Sequence, residues 1–444
     1  MGRQRGRPVV LKFGGASLAD PTRVVDDVRA ARAGGVPLVV VASAREGVTD
    51  RLAAAARRPL RAAERARLLR LLEEGHPGLS AVGRRHLARL GARLNGPPAG
   101  RLSGRTARAA RTDEILSSGE RLAVDWLVQL LRRAGIPATG VEADRLGLIT
   151  DNAYGASCIL AERSTPAVRR GLGRLLAAGR LPVVTGFFGR SLEGRVATLG
   201  RGGSDYAAAS IGAILRAARV ELVKRHVAVF SADPDQVRGA RPIPALSYEE
   251  AEELAQFGAR VLHPLTIEPA RAQEVEIRVR SLEDPTVVTT IGPARSGRRN
   301  RALTLLGPLR LLRLRVPGGR QRPGVVAEVS DRLAAARVNL VQLYTSSALL
   351  CLVLDPAEVL AALRALAPLL REAAAMVEGP FRVALVTAIG DGVMADLDRI
   401  PPEAVAAAEG LSATPRALSL AVAEDRGPTT LRTLHRVLVE EADA

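Results

Sequence analysis

The chain has 444 residues, 47% hydrophobic and 25% charged, a globular composition long enough for two to four domains with sizeable cores. Aromatic residues make up only 2%, which argues against a surface that reads nucleic acid by base stacking. All but two of the 64 basic residues behind the net charge of +18 are arginine, a chain-wide bias rather than a local basic patch, so no nucleic-acid partner is expected.

The two lysines, Lys12 and Lys224, stand out against that bias. Two cysteines, Cys158 and Cys351, lie far apart with no CxxC pairing, which excludes a disulfide framework and a thiolate zinc site and fits a reducing cytoplasm. The basic start, Met1 to Pro8, is followed by an apolar run of only Val9-Val10-Leu11, too short for a signal-peptide core. No run reaches the roughly 18 apolar residues that a membrane helix needs. A soluble cytoplasmic protein with no membrane partner is expected.

Along the chain, Val9-Val10-Leu11 reads as a buried strand running into Lys12-Phe13-Gly14-Gly15 and a helix around Thr22 to Ala33. Strand, glycine turn and helix together make an anion site. A second buried run, Pro37 to Ala44, ends in the turn Glu46-Gly47-Val48-Thr49-Asp50. Such alternation predicts a mainly parallel sheet with crossover helices. Residues 52–111, rich in Arg, Leu and Ala, read as an inserted helical hairpin broken at Gly75-His76-Pro77-Gly78 and Asn95-Gly96-Pro97-Pro98. Strand patterns return at Pro182 to Phe187, Val220 to Val223 and Val275 to Val279, with helices near Glu120 to Ala134 and Asp205 to Ala217. The first domain is expected over 8–285 and a polar linker over 286–308. Two βαββα-type units follow, over 309–374 and 375–444, side by side or interleaved.

The strongest local signal is Thr198-Leu199-Gly200-Arg201-Gly202-Gly203-Ser204-Asp205-Tyr206, between a strand and a helix. Its glycines let the backbone approach an anion, the helix start supplies N–H donors and Arg201 offers a planar fork to a carboxylate or phosphate. Lys12 precedes paired glycines, where its ammonium can sit against phosphates. A flexible turn and a snorkelling lysine are the plainer readings. His263 reads as structural, and His76, His86, His226 and His435 share no ligand spacing, so no transition-metal site is assigned.

These segments resemble the aspartate kinase branch of the amino-acid kinase family. The matching stretches are Lys12-Phe13-Gly14-Gly15, Ser43-Ala44 with Gly47 and Thr49-Asp50, Ser118-Gly119-Glu120, Gly186-Phe187-Phe188-Gly189 and Thr198 through Tyr206. Leu246 to Ala251 and Phe257 to Pro264 follow in order, and the tail looks like a tandem pair of ACT domains. The resemblance implies an α/β amino-acid kinase fold, a mainly parallel sheet sandwiched by helices, followed by two α+β ferredoxin-like ACT domains. It further implies phosphoryl transfer from ATP, with Mg2+, to the side-chain carboxylate of L-aspartate, in a homodimer formed through the ACT domains. By similarity Lys12 and Asp205 are catalytic, and Thr49, Glu120, Arg201 and Ser204 bind the amino acid. Lys12, Gly14, Gly15, Phe230 and Arg260 face the nucleotide. Gly324, Gln342 and Ser347 are the effector candidates, with the identity of any amino-acid effector left open.

The sequence departs from the family's pattern on the nucleotide side. Where the family usually carries Trp-Thr-Asp, then glycine, tyrosine and Asp-Pro-Arg, this chain has Lys224 and Arg225 for the Thr and Asp, Ala228 for the glycine, Phe230 for the tyrosine and Asp235 for the arginine. Arg260 stands where lysine is common. Lysine-sensing relatives place carboxylates near Gln342 and Ala348, so weak or absent lysine inhibition is expected. The alternative to the kinase is an impaired amino-acid-binding regulatory protein with a degenerate nucleotide site. A kinase acting on another small carboxylate is the third reading, against which retained Glu120 and Arg201 favour an amino acid with an extra carboxylate.

Overall fold

A computed structural model describes residues 6–95, 104–225, 229–258, 262–293, 301–315, 324–346, 349–372 and 375–441. The chain divides into two units. The first is built on an eight-stranded sheet in the order Ala138–Val141, Leu181–Thr185, Leu38–Ala42, Val9–Phe13, Arg219–Lys224, Glu276–Ser281, Val288–Gly292, Ala245–Ser247. Only the Glu276–Ser281/Val288–Gly292 pairing is antiparallel. Val9–Phe13 and Leu38–Ala42 are buried at every residue, which is why Val9-Val10-Leu11 and Leu38–Ala42 read as apolar runs: a parallel sheet covered on both faces leaves no solvent-facing side. A second sheet of three short strands, Ile149–Thr150, Phe188–Ser191 and Val196–Thr198, brings the chain to the glycine turn.

The helix Gly203–Leu215 is buried from Gly203 through Ile214. Its small residues, Ala207-Ala208-Ala209 and Gly212, let it lie close to its neighbours, and a Cβ at Gly212 would come within 2.3 Å of Val220. The helix Ser118–Arg133 buries Leu122, Trp126, Leu127 and Leu131 in the core that also contains Leu11 and Val40. The expected hairpin over 52–111 is instead a set of helices, with Ala62–Glu74 and Ala81–Asn95 lying between Val48–Arg57 and Arg105–Leu116. Leu72, Leu87, Leu90 and Leu94 join that same core, so this region is part of the unit and not an appendage. The second break expected there falls mostly outside the described residues.

Two expected boundaries are corrected. Within the proposed linker 286–308, Val288–Gly292 is a strand of the first sheet and Ala302 already begins the strand Ala302–Arg315. The stretch 8–285 is also not one unbroken body, because Phe230–Ile243 clusters with the second unit. Ala232 and Val237 share a core with Leu431, Leu434 and Val439, and the Ser231 hydroxyl lies 2.9 Å from His435 Nε2, whose Nδ1 meets Glu440 at 2.9 Å. Burial of those apolar side chains outweighs their sequence distance from the partner helix.

The second unit is one six-stranded antiparallel sheet in the order Leu340–Thr345, Leu349–Leu354, Ala302–Arg315, Met376–Ile389, Ala417–Ala423, Ala408–Ala413. The two long strands run through both cores: Leu303 packs with Leu418 and Leu431, whereas Leu312 and Val377 pack with Val325 and Leu352, so the two βαββα units share these strands. The strand Ala408–Ala413 had no sequence signal: Gly410 and alternating small residues carry little β preference, and pairing with Ala417–Ala423 makes it a strand.

Candidate active site

The candidate residues meet at the carboxyl ends of the central parallel strands, where open α/β sheets place their ligands. Lys12 is the fourth residue of Val9–Phe13, and Lys224 ends the adjacent strand, with Lys12 opposite Leu222 in register. Asp205 lies in the first turn of Gly203–Leu215, entered through Gly202 at φ +72°. Its carboxylate receives both lysines, with Lys12 Nζ 2.5 Å from Oδ1 and Lys224 Nζ 2.7 Å from Oδ2. The Lys12 side chain is 6% exposed and that of Lys224 23%. Burial pushes the Asp205 carboxyl upward, but the two ammonium charges outweigh it and hold it well below the usual carboxylate range. Burial lowers the Lys12 pKa, opposed by Asp205 and reinforced by the like charge of Lys224.

Glu120, in the first turn of Ser118–Arg133, accepts a hydrogen bond from the Ala44 N–H at 2.9 Å through Oε1, while its buried Oε2 has no hydrogen-bond partner among the described residues. Burial pushes its carboxyl up to about 8, against the Ala44 hydrogen bond and the charges of Lys12 and Arg121. A carboxyl so placed waits for a cation or a donor to take Oε2. Backbone proximity assembles the rest. A Cβ at Gly15 would sit 2.7 Å from the Ala44 carbonyl, one at Gly119 2.8 Å from Ala44 Cβ, and one at Gly186 2.8 Å from Ser204 Cβ. These glycines therefore allow the Lys12, Ala44, Glu120 and Ser204 segments to close on one another. A Cβ at Gly14 would lie 3.5 Å from the Lys12 ammonium, which therefore sits directly against the glycine turn. Thr49 is half-buried in the first turn of Val48–Arg57, after Gly47 at φ +73°. Arg201 is exposed and has no ion-pair partner among the described residues, and its charge is felt by His263.

His263 caps the helix Pro264–Ala272, its Nδ1 accepting from the Leu265 N–H at 3.4 Å, and packs where a Gly202 side chain would stand. That position supports the structural role expected for it. The structure does not gather every candidate into this unit. Phe230 forms a short bridge with Pro242 in the second unit, and Asp235 donates its N–H to Asp233 there. Arg260 and Ser347 lie outside the described residues. Gly324, at φ +87°, precedes the helix Val325–Ala335, and Gln342 Oε1 accepts from Tyr344 Oη at 2.9 Å and more weakly from Ser419. Arg225 is half-buried, its carbonyl accepting from Ser281 Oγ at 3.1 Å.

Two residues have roles that the sequence reading does not assign. Lys224 stands out there as a rare lysine and as a departure from the family's pattern, but only the structure places it on Asp205. Asp113 is buried in Arg105–Leu116 and accepts from Thr198 N and Oγ1 and from Gly155 N at 2.7–2.9 Å, so it fixes the strand end that leads into the glycine turn. Nothing local marks it, because its partners lie 85 and 42 residues away.

The amino acid kinase family matches residues 7–281. Lysine-sensitive aspartokinase 3 of Escherichia coli (strain K12) is 33% identical over 256 residues, 55% of this chain and 55% of that protein. Chloroplastic aspartokinase 3 of Arabidopsis thaliana is 39% identical over 181 residues, 40% of this chain and 32% of that protein. The matched stretch thus spans about a third to about half of these curated relatives. Among solved structures, E. coli aspartokinase III in complex with aspartate and ADP (R-state) superposes with a TM-score of 0.82 at 28% identity, covering 97% of this chain and 99% of that one. The same enzyme in complex with lysine and aspartate (T-state) gives a TM-score of 0.74 at the same identity and coverage.

Proposed function

Since the chain belongs to the amino acid kinase family, in its aspartokinase branch with ACT-like C-terminal domains, we propose that it transfers the γ-phosphoryl group of ATP to the side-chain carboxylate of L-aspartate, giving 4-phospho-L-aspartate and ADP. The observation that carries this reading is the buried Lys12–Asp205 pair beside Glu120, whose Oε2 has no hydrogen-bond partner among the described residues.

A carboxylate oxygen attacks the γ-phosphorus in line, and the bond to the bridging oxygen of ADP breaks. The nucleophile is already an anion, so no general base is required. The work left to the protein is to bring two anions together and screen them. Lys12, held by Asp205, stabilises charge on the transferring group. Glu120 takes the substrate ammonium, which is what its open Oε2 lacks. Ser204 and Thr49 supply hydroxyl donors, and exposed Arg201 supplies the fork for the α-carboxylate. Both oxygens of Asp205 face ammonium groups, and no metal-sized cluster of His, Cys, Asp or Glu occurs among the described residues. The magnesium of MgATP would therefore be held by the phosphates it accompanies, whose charge it neutralises.

We place the enzyme in the cytoplasm, with its two cysteines free and no described helix long and apolar enough to cross a membrane, and as a homodimer through the C-terminal unit. The test traps acyl phosphate as hydroxamate from pure protein, MgATP, hydroxylamine and L-aspartate, beside reactions with glutamate and with no amino acid. Aspartate-dependent hydroxamate that is lost in Lys12→Ala is expected. No product from folded protein would leave the amino-acid-binding reading in its place.

A further inference from the structure

Both lysines of this 444-residue chain end on one carboxylate. We propose that Lys224 is a second phosphate-binding cation of this site, held by Asp205 opposite Lys12 and reaching a ligand's polyphosphate from the open side. The inference deepens the kinase reading and rests on it for the identity of the polyphosphate, while the phosphate site itself can be tested separately.

Charge is the first argument. Two ammonium groups share one carboxylate, leaving a surplus positive charge in a largely buried cluster. Glu120 does not cancel it, because burial keeps that carboxyl protonated up to about pH 8. A buried surplus charge is costly until a counter-ion arrives. Exposure gives the direction: Lys12 is sealed beneath the site, whereas the Lys224 side chain keeps 23% of its surface open. A polyphosphate lying along the sheet's carboxyl end would meet Lys224 first, on the open side of the cluster.

The residue type is the second argument. The chain uses arginine almost everywhere, yet a guanidinium would grip both oxygens of Asp205 in a bidentate fork and displace Lys12. An ammonium takes one oxygen and keeps its other donors for a ligand. Lysine at both positions is what lets two cations share one carboxylate and still face an anion. At the position where the resembling family usually has threonine, this chain therefore carries a charge in place of a hydroxyl.

The rarity of lysine supplies the assay. An amine-acylating reagent applied to the wild-type protein can modify only Lys12, Lys224 and the N-terminal amine, and peptide mass mapping reads each one. Lys224 is expected to react before Lys12 and to be protected by inorganic pyrophosphate in proportion to occupancy. Lys224→Met should weaken pyrophosphate and ADP binding roughly 10- to 100-fold, the loss of one or two charge-assisted contacts. In turnover it should raise KM for ATP more than KM for aspartate. Lys224 labelled equally with and without pyrophosphate, pyrophosphate affinity unchanged in folded Lys224→Met, or an equal rise in both KM values would each overturn the proposal, the last because Lys224 would then act only by holding Asp205. Pyrophosphate protection without hydroxamate would sink the kinase reading and leave the phosphate site standing. Hydroxamate with an unprotected Lys224 would sink this inference alone.

Discussion

Replacing Asp205 by Asn removes the one negative charge between two ammonium groups and keeps the side chain's size. Asp205 is 6% exposed, with Lys12 and Lys224 at 2.5 and 2.7 Å. At an effective dielectric constant of about 20, each contact is worth roughly 6 kcal/mol of gross attraction, most of it offset by desolvation. Breaking a buried ion pair from one side costs about 3–5 kcal/mol because the stranded charge stays buried. For a unit of this size that is a fall in Tm of roughly 6 to 20 °C. The only tryptophan, Trp126, is buried in the same unit beneath the Arg45 guanidinium, 4.5 Å from its ring centre. Its fluorescence in a urea titration therefore reports the unfolding of this unit. Adding Lys224→Met to Asp205→Asn removes one of the two repelling cations and should recover at least about 1 kcal/mol, so the double-mutant cycle is expected to be non-additive. A cost below 1 kcal/mol for Asp205→Asn, or the same Lys224→Met cost in both backgrounds, would refute the reasoning.

Glu120 predicts a pH dependence of substrate binding. Its carboxyl is protonated below about pH 8, through burial first and against the pull of Lys12 and Arg121, whereas the substrate ammonium needs the carboxylate. Aspartate affinity measured calorimetrically should therefore strengthen as pH rises from 6 towards 8, by up to about tenfold per unit, and level off above. Glu120→Gln should flatten that slope, and a slope that survives the substitution would show that another group titrates. In the C-terminal unit, neutral Gln342 already accepts from Tyr344 and Ser419 and offers an effector ammonium no carboxylate. A lysine titration of aspartate-dependent hydroxamate formation should show weak or no inhibition, and strong inhibition would reject this reading.

Much was legible in the sequence because the physics there is local. The runs Val9-Val10-Leu11 and Leu38–Ala42 announce buried parallel strands by having no polar side. The glycines from Gly200 to Gly203 announce a turn that only residues without Cβ can make beside His263 and Leu199. Lys12 and Asp205 could be singled out because each belongs to such a segment, and their 2.5 Å pairing follows once the strand and the helix are stacked. The order of motifs likewise determined the fold class and the tandem βαββα tail.

What only the tertiary structure decided depends on partners far apart in the chain. Asp113 has no signature in an arginine- and alanine-rich helix, and it matters because it meets Thr198 and Gly155. The stretch Phe230–Ile243 reads as part of the first domain, but Ala232 and Val237 bury themselves with Leu434 and Val439, some two hundred residues on. Lys224 reads as a lost threonine until the register of Arg219–Lys224 against Val9–Phe13 carries its ammonium to Asp205. A substitution can be recognised in one dimension, but whether a charge is stranded or paired depends on distance in three.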